Sequence, residues 1–515
     1  LDVKTIEGRD DILRAFSGPP TDESRAIIGV PSAVFYPENI RDIEAVVEQA
    51  LLERKDITIL GGRTGITAGS APNEGSYAIS FEKLNRILEV ISDTNGIILR
   101  CEPGVTIDRI TDFCRSPDAA VPGADSLEPG KWFYPPDPTE ATAQLGGTVA
   151  TNASGARSFR FGSTRNHVDS LSVLTVEGDR FEIRRGKIFF TDDSVTLTTS
   201  CGKNITIPAP IYRTPVSKAV CGYYARDDMD LIDLFIGSEG TLGIFHEIEI
   251  RLSPSPHFLG GLSFFHTSEH AFSFAEFLRI QEHVAAVEFF DQSALAFMRT
   301  HMEEQPISFP RIPDEAGAAL YWEYMDAVET PFDDVLEAWE DALLANGSSF
   351  ESTWSGFDTS EMNKLKAFRH AIPELVNQVT GMRKREIPSL RKVGTDTAVP
   401  LESFPKVYRE YTDLLDQSGI EWLAFGHIGD CHLHFNLLPG TDEELNRALQ
   451  IYKKMMYIAI REDGCISAEH GIGKIKTDYL QEMAGSEAMA SMRRIKRALD
   501  PRFRLNRGNL FAPDE

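Results

Sequence analysis

In residues 39–54, NIRDIEAVVEQALLER, apolar side chains recur at helical spacing behind an asparagine suited to cap the first turn. The short apolar run Ile57-Thr58-Ile59-Leu60 predicts a strand that empties into Gly61-Gly62-Arg63-Thr64-Gly65. A second strand–helix unit is expected in IILRCEPGVTIDRITDFC. LSVLTVEG and DRFEIRRG predict a hairpin near 171–186. The strand IFHEIEIRL stops at Ser253-Pro254-Ser255-Pro256, and two prolines in four residues mark the strongest domain boundary in the chain.

Beyond it the rhythm changes. GLSFF, AAVEFF and ALYWEYM predict strands, and 268–282, 292–301 and 332–345 predict helices. That alternation points to an α+β domain with helices packed on a sheet. Residues 441–463 predict a long amphipathic helix, and 486–500 a helical tail that stops at Asp500-Pro501. No internal repeat or low-complexity stretch interrupts the pattern.

Composition narrows the classes. The chain has 515 residues, 42% hydrophobic and 25% charged, which is ordinary globular usage and excludes a disordered or fibrous protein. Length alone predicts about two to four domains. No run approaches the roughly 18 to 20 apolar residues of a membrane helix, so the chain is expected not to span a membrane. Its opening residues lack the charged-then-apolar pattern of a secretion signal. A formal charge of −26 repels phosphate backbones and argues against nucleic acid as a partner. It still allows a small anion in a local basic pocket. The six cysteines are scattered, with no Cys-x-x-Cys; this argues against a disulfide framework or iron–sulfur cluster and for a reducing, cytoplasmic setting. Peripheral membrane association is compatible with that reading.

Gly61 to Gly69, followed by Ser70, holds four glycines in nine positions. Glycines let backbone approach a ligand and turn N–H groups inward as an anion nest; a plain glycine-rich turn is the competing reading. The loop is neither a Rossmann fingerprint nor a P-loop. Two further clusters shift the balance. One runs from Pro135-Pro136-Asp137 through Gly146–Gly155 to Arg160-Phe161-Gly162. The other is Gly237-Ser238-Glu239-Gly240-Thr241-Leu242-Gly243-Ile244. Three small-residue loops in one domain suit an extended anionic cofactor.

Together these segments resemble the FAD-binding domain of the vanillyl-alcohol oxidase / p-cresol methylhydroxylase (PCMH) superfamily over about residues 29–254. The resemblance implies non-covalent FAD. Gly61, Gly62, Arg63, Thr64, Gly65, Ile66 and Thr67 would form its pyrophosphate loop. Pro136, Asp137, Gly146, Gly147, Ala150, Thr151, Asn152, Gly155, Arg160 and Gly162 would line adenine and isoalloxazine, with Glu239, Gly240, Gly243 and Ile244. Arg63 stands where relatives usually carry a third glycine, and Leu60 where they often carry arginine. His167 is the nearest candidate for a covalent link, but it reads better as a surface-loop histidine.

The C-terminal part contains Gly426-His427-Ile428-Gly429-Asp430-Cys431-His432-Leu433-His434 between two apolar runs. This predicts two strands joined by a tight Gly-Asp turn. His432 and His434 share a face by parity, and His427 faces them. Three imidazoles in eight residues is a metal-type density. Further on, Ser467-Ala468-Glu469-His470-Gly471-Ile472-Gly473-Lys474 pairs a carboxylate with an imidazole. A helix N-cap segment would explain Ser467 but not that pair. Arg369 and Lys392 are candidate cations for a substrate carboxylate, arginine because its fork binds both oxygens; solvated surface charge is the alternative for each.

Both motifs resemble FAD-linked D-2-hydroxy-acid dehydrogenases, the group with D-lactate and D-2-hydroxyglutarate dehydrogenases, whose members read roughly G-H-x-G-D-G-N-x-H and S-x-E-H-G-x-G. The resemblance spans about 255–510. It implies a divalent metal, commonly zinc, on His427, His434 and Glu469, with His470 as base and Arg369 in the matching helix. Cys431 replaces the usual glycine and His432 the usual asparagine. Asn506-Arg507-Gly508-Asn509 resembles the group's Asn-Pro-Gly-Lys ending, placing Asn506 near the flavin. The implied domains are an N-terminal segment 1–28, the FAD domain 29–254, a substrate and metal-binding cap with an antiparallel sheet at 255–485, and a segment 486–515 returning to the FAD domain. The implied reaction is oxidation of a small 2-hydroxy acid, D-lactate before D-2-hydroxyglutarate. Electrons would leave to an electron-transfer flavoprotein, a quinone or a partner subunit, in a homodimer or heteromeric complex.

Two alternatives compete. A non-redox enzyme like alkylglycerone-phosphate synthase shares the FAD domain but would need a lipid tunnel and a phosphate site. His266-Thr267-Ser268-Glu269-His270 matches the H-x-x-E-H pattern of zinc peptidases. There His266 follows the strand GLSFF and Thr267-Ser268 look like a helix cap, so the motif is expected to straddle a corner rather than lie on one helix face.

Overall fold

The computed structural model describes residues 3–191, 193–302, 311–327 and 331–512. The outermost residues of both terminal segments lie outside that range.

Asn39 caps the helix Ile40–Leu52 as its spacing predicts, its side chain accepting from the amides of Arg41 and Asp42. The helix buries Ile43, Val46, Val47 and Ala50 against Phe35, Ile57, Tyr77 and Ile79. Those residues belong to a four-stranded sheet ordered Lys4–Glu7, Ala33–Tyr36, Tyr77–Ser80, Ile57–Leu60, parallel except at its first pair. A second, five-stranded antiparallel sheet is ordered Ile87–Asp93, Gly96–Cys101, Ile244–Arg251, Val168–Leu174, Arg180–Arg184. Its last pair is the expected hairpin, and Ile244–Arg251 sits at its centre. Two subdomains built this way make the PCMH-type FAD-binding fold.

After Pro254 the chain enters a seven-stranded antiparallel sheet. Its order is Trp354–Gly356, His257–Phe265, Ala318–Asp326, Val284–Asp291, Trp422–Gly426, His434–Leu437, Val393–Gly394. Helices Ser268–Arg279, Leu336–Ala345, Phe404–Asp416 and Asp442–Arg461 cover one face. Gln292–Met302 and Thr359–Glu386 cover the other. The long helix Thr359–Glu386 carries Pro373 and buries one residue set along its whole length. Its interrupted pattern hid most of it from periodicity.

The expected tail helix is half of a longer one. Thr477–Leu499 runs through Gly485, whose left-handed backbone (φ 78°) joins two helices at a kink. From Cys465 onward the chain packs into the core of the FAD domain, so the return begins before residue 486. Leu505 bridges Ile57, and the Asn506 amide donates to the Ile57 carbonyl at 2.8 Å. No helix among the described residues is long and apolar enough to cross a membrane.

Candidate active site

The glycine loops converge on a cavity of about 340 Å³. Residues 61–67, Gly146, Gly147, Ala150, Thr151, Glu239, Gly240, Gly243, Ile244 and Asn506 line it, with Glu469 and His470 at one end. A methyl group on Gly147 would meet no protein atom within 4 Å, so glycine there leaves ligand space. Arg63 and Ala68 both adopt φ near +57° to +59°. The glycine that relatives carry at 63 would suit this backbone; here an arginine bears the left-handed strain. Among the described hydrogen bonds, the amides of residues 63–66 donate to no protein acceptor. Amides without a protein acceptor in a glycine loop that lines the cavity fit a pyrophosphate.

Several expected cofactor residues stand behind the lining. Gly155 is glycine because a Cβ would lie 2.0 Å from the Asp137 carbonyl oxygen. Asp137 itself accepts from the Arg157 amide at 3.1 Å, and Pro136 is buried beside it. Asn152, left-handed at the end of the helix Leu145–Thr151, accepts from Ser163 Oγ and the Arg165 amide. Gly162 supplies a turn at φ 79°. Arg160 is exposed and away from the cavity. His167 corrects an expectation: it is buried, not on a surface loop, with Nε2 2.9 Å from the Phe161 carbonyl.

Glu239 lines the cavity, and its carboxylate is engaged by backbone amides. Its oxygens accept from the amides of Ile472 and Gly473 at 2.6 and 2.7 Å. It therefore clamps the turn that carries Glu469 and His470. Burial raises its carboxyl to about 7, against those two amides.

At the cavity's end the histidine segment closes on Glu469. Instead of a tight turn, seven residues that include a 3-10 turn Ile428–Asp430 separate the strands, and Cys431 takes φ 52° where glycine was usual. His427 Nε2 lies 3.3 Å from Glu469 Oε2, and His434 Nε2 lies 3.2 Å from Glu469 Oε1. His432 joins them; candidate ligand atoms of His427, His432, His434 and Glu469 all fall within 4.8 Å of one another. Three imidazoles and a carboxylate suit a zinc-type ion. Burial would raise Glu469, but Lys218, 3.1 Å away, and His427 hold it well below the usual carboxylate range. Burial likewise would lower His427, yet Glu288 and Glu469 lift it to about 9.

His470 has Nδ1 3.3 Å from Asp396 Oδ2, and its amide donates to the same oxygen at 3.0 Å. Burial pushes its imidazole down to about 4, against the pull of Asp396 and Glu469. Asp396 also takes Ser467 Oγ at 2.6 Å and Lys476 Nζ at 2.9 Å. Burial alone would raise this carboxyl; His470 and Lys476 outweigh it and hold it well below its usual range.

Arg369 is 10% exposed, with Nε 3.3 Å from Glu288 Oε2 and Nη1 4.0 Å from Asp137 Oδ2. Glu288 also accepts from His427 Nδ1 at 2.6 Å, so one carboxylate joins Arg369 to the imidazole cluster. Lys392 is not brought into this group: it is exposed and donates to Asn377 Oδ1, eight residues or about 12 Å along the helix from Arg369. Glu288, Asp396 and Lys218 are the residues sequence reasoning missed. Glu288 had a signal, as the one charge inside the apolar run AAVEFF. His266 and His270 are exposed, on either side of the Thr267 cap, and do not form the one-face array of a peptidase.

This geometry agrees with the chain's relatives. Residues 31–184 match the FAD binding domain family, and 260–510 the FAD linked oxidases, C-terminal domain. The chain belongs to the FAD-linked oxidases of the PCMH-type superfamily and is a flavin-dependent oxidoreductase. A D-2-hydroxyglutarate dehydrogenase of Stutzerimonas stutzeri is 27% identical over 514 residues, covering 98% of this chain and 95% of the relative. A D-lactate dehydrogenase of Archaeoglobus fulgidus is 28% identical over 501 residues, covering 97% and 95%. Among solved structures, an alkyldihydroxyacetonephosphate synthase shares the fold, with TM-score 0.60 and 15% identity over 95% of this chain and 76% of that one.

Proposed function

We propose that this protein oxidises a D-2-hydroxy acid to its 2-oxo acid, with D-lactate ahead of D-2-hydroxyglutarate, and passes the electrons to an external acceptor. The observation that carries the reading is the position of Glu469 and His470, which line the flavin cavity and also meet the imidazole cluster. Non-covalent FAD, held by the 61–67 loop and the 146–151 and 239–244 segments, supplies the hydride acceptor. A divalent ion on His427, His434 and Glu469 supplies Lewis acidity toward the substrate hydroxyl.

The chain's own groups do the rest. Arg369 anchors the carboxylate and fixes which face of carbon 2 is presented. His470, oriented by Asp396 on Nδ1, receives the hydroxyl proton on Nε2. Lys392 is exposed and bonded to Asn377 rather than gathered with Arg369, so the nominated cations supply one carboxylate site; an unpaired second carboxylate would bind poorly. This favours a short acid. The fold shared with alkyldihydroxyacetonephosphate synthase does not by itself favour that chemistry, and the buried imidazole–carboxylate cluster supports the dehydrogenase reading over it.

A panel of D- and L-2-hydroxy acids, followed by loss of the flavin's visible absorbance in metal-replete protein, tests this. Bleaching by D-lactate but not L-lactate is the expected outcome, with slow oxygen use and fast reduction of an artificial dye. Bleaching only by D-2-hydroxyglutarate would reverse the substrate order. No bleaching by any 2-hydroxy acid would remove the assignment.

A further inference from the structure

His432 has no ordinary reason to be where it is. Its side chain is fully buried, and neither ring nitrogen makes a well-formed hydrogen bond among the described residues. Nε2 has only an imperfectly aligned contact with Asp396 Oδ1 and Nδ1 has no partner within hydrogen-bond reach, and leaving a buried imidazole so poorly satisfied is costly. Its backbone is fixed, since the His432 amide donates to the His427 carbonyl and the residue bridges Ala398.

The neighbouring rings show what the position offers. His427 turns Nδ1 outward to Glu288 at 2.6 Å and Nε2 inward to Glu469. His434 turns Nδ1 outward to the Thr395 carbonyl at 3.3 Å and Nε2 inward to Glu469. His432 repeats the arrangement with its nitrogens exchanged: Nε2 lies 3.2 Å from Asp396 Oδ1, and Nδ1 lies 3.9 Å from Glu469 Oε2. An outer acceptor on one ring nitrogen is the usual way to orient the other toward a metal. The three ring centroids stand 4.6 to 5.8 Å apart.

We propose that His432 is a third imidazole ligand, so that a first-row divalent cation is held by His427, His432, His434 and Glu469. The inference rests on the metal-assisted reading above and adds a ligand to it. A set of three imidazoles and one carboxylate selects for zinc, cobalt or nickel over magnesium and calcium. His427, His432, His434 and Glu469 would then hold the ion through four protein side chains, a ligand number and type that suit zinc. Asp396 would then orient two rings, His432 on one oxygen and His470 on the other.

The test uses the full-length flavoprotein, stripped with chelator and reloaded with Zn2+ alone. X-ray absorption at the zinc edge of the wild-type protein should count three imidazoles; a count of two overturns the proposal even without a variant. In His432→Asn, chelator competition should show zinc affinity falling by more than the roughly 10–100-fold typical of losing an outer partner, with FAD content unchanged. Equal affinity and imidazole count in wild type and His432→Asn would overturn it while leaving the two-histidine reading intact. Failure of wild-type protein to bind zinc would remove both.

Discussion

Glu469 and His470 are adjacent in the chain but have different partners: Glu469 meets Lys218, His427 and His434, while His470 leans on Asp396. If His470 receives the substrate proton, His470→Ala should cost about 10²–10⁴-fold in turnover while flavin content stays the same, measured by dye reduction against FAD absorbance. Unchanged turnover would remove it from the mechanism. Much of this scale was legible in the chain, because His427, His434, Glu469 and His470 sit in short motifs dense in chemistry. Lys392 shows the limit. Its charge was visible in the sequence, but its distance from Arg369 depends on how the strand Val393–Gly394 lies against the helix Thr359–Glu386.

Among elements, the strand Val284–Asp291 has the most consequence, because it presents Glu288 to the site and ends in Asp291. Asp291 Oδ1 accepts from the amides of Ala294 and Ala424 at 2.7 and 3.1 Å, joining the helix Gln292–Met302 to the strand before His427. Burial raises its carboxyl from 3.8 to about 7, despite those amides. Because the folded pKa lies above the unfolded one, the unfolded chain gives up this proton first as pH rises. The folded state is therefore favoured below about pH 4, loses that advantage between pH 4 and 7, and changes no further above 7. At about 1.4 kcal/mol per pKa unit, the loss is roughly 4 kcal/mol. Asp291→Asn keeps the accepting oxygen and removes the titration. Its Tm should exceed that of the wild type at pH 8, with the gap closing by pH 4.5. A gap independent of pH would contradict the assignment.

On the scale of the whole molecule, the tail ties the cavity together. Asn506 Oδ1 accepts from the Ile59 amide at 2.8 Å, and its Nδ2 donates to the Glu239 carbonyl at 3.0 Å. Its left-handed backbone, φ 45°, is one asparagine tolerates. Asn506→Ala would leave the Ile59 amide without this acceptor and the Glu239 carbonyl with only Asn509 Nδ2 at 3.3 Å, at about 1–3 kcal/mol for the unpaired donor. The expected result is a lower Tm together with weaker FAD retention on gel filtration. Full retention with a lowered Tm would make Asn506 a packing residue only.

Local physics made the elements readable. Periodicity gave the helix Ile40–Leu52, the hairpin to Arg184 and the strands flanking His427. Glycine clusters announced loops that bring backbone close to a ligand, and three such loops in one domain suited an extended anionic cofactor; only the family resemblance made that cofactor FAD. Tertiary structure alone decided which distant groups meet. Glu288 reaches His427 across 139 residues, Ser467 reaches Asp396 across 71, and Lys218 reaches Glu469 across 251. Lone buried charges leave little local pattern, since their cost is met by partners that only the folded chain supplies. His432 belongs to both accounts. The sequence showed a histidine where relatives carry asparagine, and the fold surrounded it with two other imidazoles and left its nitrogens without a well-formed hydrogen bond.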